Sequence, residues 1–152
     1  ETQKRAAASV GKLIGQVVLV CEYRFRTLGV RLDVSLDGDL ERTLECYRNE
    51  LSRAIVYLLL NALENSFEAP RKEVSLAAIV DGAGLAVRIR DRGPVMTPEE
   101  YERALAPYYT TKEPPHLGLG LTAARAIAEL HGGTLTYSAE TGVTLAFPHP
   151  TG

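Results

Sequence analysis

The spacing of apolar positions changes period several times along the chain, and each change marks a predicted element. From about Lys4 to Leu28, Val10, Leu13, Ile14, Val17, Val18 and Cys21 recur near the helical repeat until Gly29 interrupts them, which predicts a helix. Val30 to Leu36 alternates strictly between apolar and polar residues, as a half-buried strand does, and Asp37-Gly38-Asp39 closes it with a turn. A short second strand is expected near Arg42 to Cys46. The Leu-rich stretch from about Tyr47 to Glu68 is long enough for a major helix and is stopped by Ala69-Pro70. Glu73 to Val80 and Leu85 to Asp91 are predicted strands joined by Asp81-Gly82-Ala83-Gly84, a Gly-rich hairpin connection.

Further on, Thr97-Pro98-Glu99-Glu100 reads as an N-cap with proline in the first turn and acids where the helix dipole favours them; the short helix ends near Ala106-Pro107. Pro107 to Leu117 has no periodicity and is expected to be a loop, long enough to act as a lid. Gly118 to Leu130 predicts a helix with Leu121, Ala124, Ile127 and Ala128 on its apolar face, ended by His131-Gly132-Gly133. Thr134 to Ala139 and Val143 to Pro148 form a last hairpin around Glu140-Thr141-Gly142. The expected fold class is α+β, a two-layer α/β sandwich with about five strands, a mixed and mostly antiparallel sheet, packed against three helices. Residues 1–28 are set apart as a helical linker from an upstream module, and 29–152 as the domain proper.

At 152 residues, with 45% hydrophobic and 24% charged content, the chain suits one domain with a core large enough to stand without staples. A formal charge of −2 supplies no electrostatic reason to expect nucleic acid or an anionic membrane as partner, so any bound anion must be met by a local site. Cys21 and Cys46 lack metal-like spacing and are expected as buried thiols, with a reducing cytoplasm as the simplest location. No apolar run approaches the roughly 18 residues of a membrane span.

Candidate chemistry collects in three places. Asn61 and Asn65 stand four residues apart on the long helix, so both amides share one face. Amide carbonyls are hard, neutral donors suited to Mg²⁺; for either residue alone, helix decoration or capping is the plainer reading. Asp91 ends a strand before Arg92-Gly93, where an ionised carboxylate can accept from the exocyclic amine of adenine, although Asp before Gly is also a common turn device. Gly118-Leu119-Gly120-Leu121 opens a helix whose N–H groups could approach phosphate. With Ala123 it also fits G-x-G-x-x-A, but it follows a Pro-rich loop late in the chain rather than the first strand of a βαβ unit. Lys112 after Thr110-Thr111 offers a cation and two hydroxyls to phosphate, against the alternative of a solvated loop lysine.

In this order, these segments resemble the ATP-binding catalytic domain of sensor histidine kinases, in the superfamily that also holds gyrase, the Hsp90 chaperones and MutL. Leu59 to Ala69 is similar to the N box, Asp91-Arg92-Gly93-Pro94 to the first Gly box, Pro107 to Lys112 with Gly118 to Leu121 to the lid and second Gly box, and His131-Gly132-Gly133 to the following turn. The resemblance covers about Val30 to Phe147 and implies the Bergerat ATP-binding fold. It implies that Asn65 and Asn61 hold Mg²⁺ against the triphosphate of ATP and that Asp91, with Gly93, recognises adenine. It further implies that Tyr109, Thr110, Thr111 and Lys112 belong to a lid over the phosphates, with the backbone of Gly118, Leu119, Gly120 and Leu121 beneath them; Asn65 and Lys112 are the residues expected to serve catalysis. Two positions depart from the pattern. Val95 stands where the second glycine of the first box belongs, and His116 where the second box usually begins; a valine does not readily adopt positive φ.

The resemblance implies transfer of the γ-phosphoryl group of Mg-ATP to a histidine on an upstream dimerisation and histidine-phosphotransfer domain, and thence to a response regulator receiver domain. Residues 1–28 would then be the end of the dimerisation helix. The isolated domain is expected to be monomeric, the full-length protein a homodimer that could be membrane-anchored. His116, His131 and His149 lie in the lid, the Gly-Gly turn and the tail, so none is an apparent acceptor. An ATP hydrolase of the superfamily carries a glutamate one turn before the metal asparagine, where this chain has Asn61, which cannot accept a proton at neutral pH. Val95 and His116 favour a third reading, a degenerate non-catalytic ATP-binding module.

Overall fold

The computed structural model describes residues 4–105 and 120–148. In chain order the elements are β1 (Ala6–Ser9), α1 (Val10–Thr27), β2 (Arg31–Gly38), β3 (Thr43–Cys46), α2 (Arg48–Phe67), β4 (Glu73–Asp81), β5 (Gly84–Asp91), α3 (Pro98–Ala104), α4 (Gly120–Leu130), β6 (Thr134–Ser138) and β7 (Gly142–Pro148). Among the described residues, five strands form one sheet in the order β2-β4-β5-β7-β6. β2 and β4 run parallel across the α2 crossover, and every other neighbouring pair is antiparallel. This is the expected mixed sheet under a helical layer, and α1 brings the helices among the described residues to four.

Alternation places the core. Val74, Leu76, Ala78 and Val80 of β4, Leu85, Val87 and Ile89 of β5, and Leu145 and Phe147 of β7 are buried on the helix-covered face. From α2 they receive Leu51, Ala54, Ile55, Leu58, Leu59, Ala62 and Leu63, spaced three and four apart, and from α4 Leu121, Ala124, Ile127 and Ala128. The first helix adds Val10, Leu13, Ile14, Val17, Cys21 and Phe25 to the same cluster. Burial pushes the Cys21 thiol up to about 11, with Arg24 opposing, and also raises that of Cys46; both cysteines are free and buried. No helix among the described residues is long and apolar enough to cross a membrane.

Two expectations need correction. The helix expected from Lys4 begins at Val10, because Ser9 is extended at φ −69°, ψ 128° and its hydroxyl accepts the Lys12 N–H as an N-cap. The alanines before it lack an apolar stripe and pair instead as a strand, Ala6 to Cys46 through Ser9 to Thr43. The strand expected to be half-buried is an edge strand with a neighbour on one side alone, and Val34 and Leu36 are exposed. Elsewhere the boundaries fall within about two residues of expectation, the ordinary fraying of element ends.

Candidate functional site

The end of α2 and the end of β5 meet at a junction built from side chains and backbone together. Asn61 and Asn65 both lie on a half-buried face of α2. The Asn65 amide Nδ2 donates to Asp91 Oδ2 at 3.3 Å, and the Gly93 N–H donates to Asp91 Oδ1 at 2.8 Å. Asp91 is half-buried, and each of its oxygens keeps acceptor capacity beyond these bonds. Glycine at 93 is required by space, since a Cβ there would stand 2.4 Å from the Asn65 carbonyl oxygen.

Ser66 completes the junction and was not singled out in the sequence. It is the buried polar side chain among the described residues, donating from Oγ to the Glu73 carbonyl at 3.3 Å and accepting the Arg92 N–H at 3.3 Å. One hydroxyl thus ties α2 to the start of β4 and the end of β5. The signal was a serine continuing the apolar stripe of Leu59, Ala62 and Leu63. The Arg92 guanidinium turns to Glu73 at 3.4 Å, which Arg71 also pairs at 2.9 Å.

Beyond Gly93 the chain is fastened to the far edge of the sheet. The Met96 N–H donates to the Tyr137 hydroxyl at 2.9 Å, and Val95 between these anchors is 61% exposed. The expected cap of α3 is a full capping box, with Thr97 and Glu100 exchanging backbone bonds that hold the Glu100 carboxyl below its usual range. Tyr101 stacks on Tyr137 with centroids 5.4 Å apart and donates to the Leu135 carbonyl at 3.1 Å; burial, then Glu102, pushes its phenol up to about 12. The Thr122 hydroxyl donates to the Leu105 carbonyl at 2.7 Å, joining the end of α3 to α4.

His131 does more than end a helix. Its Nδ1 donates to the Ile127 carbonyl at 2.8 Å while Nε2 accepts the Tyr47 N–H at 2.9 Å, so the proton sits on Nδ1 and the ring caps the start of α2. Gly132 at φ 72° then turns the chain into β6. Of the remaining expected site residues, Gly120 opens α4 and Leu121 is buried in the core. Tyr109, Thr110, Thr111, Lys112, Gly118 and Leu119, with His116, lie outside the described residues.

A family model described as histidine kinase-, DNA gyrase B- and HSP90-like ATPase matches residues 47–151, which include α2, the Asp91 junction and α4. The chain belongs to this ATPase family. It is 35% identical over 92 residues to the sensor protein TdiS of Thauera aromatica, a match covering 55% of this chain and 17% of TdiS. It is 29% identical over 133 residues to the C4-dicarboxylate transport sensor protein DctB of Rhizobium meliloti (strain 1021), covering 86% of this chain and 20% of DctB. The chain therefore spans about a fifth of the length of these relatives. The nucleotide-free catalytic domain of histidine kinase ThkA shares the fold with a TM-score of 0.78 at 23% identity, over 97% of this chain and 96% of that one. Full-length ShkA in complex with AMPPNP matches with a TM-score of 0.77 at 19% identity, over 100% of this chain and 33% of ShkA. The family match starts at Tyr47, whereas the likeness in fold to ThkA covers 97% of this chain.

Proposed function

We propose that this chain is the ATP-binding catalytic domain of a two-component sensor histidine kinase, which binds Mg-ATP and passes its γ-phosphoryl group to a histidine on a separate dimerisation domain. The observation that carries the reading is the Asp91 carboxylate, held at the end of β5 by the Asn65 amide and the Gly93 N–H with acceptor capacity to spare. Adenine presents an amine donor to such a group where guanine presents an acceptor, so the site selects ATP over GTP.

Mg²⁺ fits the donors on α2, which are neutral amide oxygens; this ion takes one or two protein ligands and completes its shell with phosphate and water. When bound it would draw negative charge from the transferring phosphoryl group. Lys112 with Thr110 and Thr111 would meet the phosphate oxygens, and the N–H groups of the Gly118 to Leu121 segment, leading into α4, would add backbone donors. His131 is a poor acceptor for phosphate, because both ring nitrogens are engaged with Tyr47 and Ile127. The acceptor would stand on an upstream helical domain, with residues 1–28 leading from it, and a receiver domain would take the phosphate onward in the cytoplasm.

Calorimetry and phosphotransfer together test the reading. The domain should bind Mg-ATP, Asp91→Ala should weaken it at least about tenfold, and mixing with the dimerisation domain should yield phosphohistidine. Unchanged affinity in Asp91→Ala would overturn the nucleotide site. ATP binding without phosphohistidine would favour the non-catalytic module that Val95 and His116 suggest, and steady phosphate release by the domain alone would favour a hydrolase.

A further inference from the structure

We infer that Asn65 is a positioning residue: its amide locks the Asp91 carboxylate for base recognition rather than holding the metal. The inference rests on the nucleotide reading above. A carboxylate only accepts, so the 3.3 Å contact of Asn65 with Asp91 Oδ2 turns the amide nitrogen, not the carbonyl, towards Asp91. With the Gly93 N–H on Oδ1 at 2.8 Å, each carboxylate oxygen has one fixed donor. The group cannot swivel, and its remaining lone pairs point in set directions.

The backbone is held as firmly as the side chain. Gly93 packs on the Asn65 carbonyl so closely that a Cβ would come within 2.4 Å, and Ser66, next along the helix, holds the Arg92 N–H at 3.3 Å. The exocyclic amine of adenine and the triphosphate lie at opposite ends of ATP with the ribose between. A side chain bonded to the carboxylate that reads the amine is therefore at the wrong end to hold an ion bridging phosphates.

The test compares ATP with purine riboside triphosphate, which lacks the 6-amino group, by calorimetry in Mg²⁺ and in EDTA. Asn65→Ala should weaken ATP about tenfold in both conditions and weaken the amine-free nucleotide less than about twofold, because there is then no amine for Asp91 to meet. Asn65→Asp, similar in size and a better metal ligand, should lose ATP to the same extent, since it sets a second carboxylate against Asp91. Equal loss of both nucleotides in Asn65→Ala, a loss confined to Mg²⁺, or full Mg-ATP affinity in Asn65→Asp would overturn the inference. If Asp91→Ala kept the preference for ATP over the amine-free nucleotide, the nucleotide reading would fall with it; loss at Asp91 without loss at Asn65 would overturn the inference alone.

Discussion

The backbone of Gly93 rests on the carbonyl of Asn65, with space for a hydrogen but not for a methyl group: a Cβ at 93 would lie 2.4 Å from the Asn65 oxygen and 3.1 Å from its Cβ. Gly93→Ala should therefore part the helix end from the strand end, lowering stability in urea by about 1–3 kcal/mol and weakening ATP in calorimetry. Gly15→Ala should have the opposite sign. Gly15 is exposed within α1 with nothing within 4 Å of an added Cβ, so the same substitution should stabilise by about 0.5–1 kcal/mol through helix propensity.

Ser66→Ala isolates the hydroxyl that links three elements. It removes the acceptor for Arg92 N–H and the donor to the Glu73 carbonyl while leaving the apolar stripe intact. The expected cost is about 1–3 kcal/mol, the penalty for buried backbone groups left without a partner. Urea denaturation measures it, and a cost under about 0.5 kcal/mol would mean that water replaces the hydroxyl.

His131→Ala should loosen the start of α2. Tyr47, the N-cap residue, has no side-chain cap bond of its own, and its N–H is given to the imidazole. Losing this contact and the donor to Ile127 should cost about 1–3 kcal/mol in urea. Hydrogen exchange should quicken most in the first turn of α2.

Tyr101 predicts a stability change in alkali. Burial raises its phenol from 10.0 to about 12, with Glu102 adding and Arg125 opposing, so folding favours the protonated form. That contribution is complete below pH 10 and is lost as pH rises from 10 to about 12. Tyr101→Phe lacks the bond to Leu135 and should be less stable by about 0.5–1.5 kcal/mol near neutrality. The gap between the two proteins should close through that alkaline range when unfolding is followed against pH.

What the sequence made legible was local. Alternation in Glu73 to Asp91 around Asp81-Gly82-Ala83-Gly84 predicted a hairpin that forms with Asp81 opposite Gly84, and Thr97-Pro98-Glu99-Glu100 predicted a cap in which both expected bonds form. The distant partnerships were not legible. Asn65 meets Asp91 across 26 residues, and Tyr47 meets His131 across 84, separations on which no short-range periodicity acts. The strand Ala6–Ser9 escaped notice because its alanines carry no alternation, and its pairing with Thr43–Cys46 is what makes it a strand. Spacing reports that Asn61 and Asn65 share a face; the contact of Asn65 with Asp91 depends on another element, which spacing does not reach.

The ribbon of β1 and β3 has a mechanical meaning. Its strands run antiparallel, so the rung nearest Lys4 is Ala6 opposite Cys46, and a single residue, Tyr47, separates that rung from α2. Arg5 lies against both sides of this join, donating to the Glu45 carbonyl at 3.0 Å with its guanidinium 5.9 Å from the Tyr47 ring centroid. From the other side the His131 ring holds the Tyr47 N–H at 2.9 Å, so the ribbon, the start of α2 and the end of α4 are coupled through one residue.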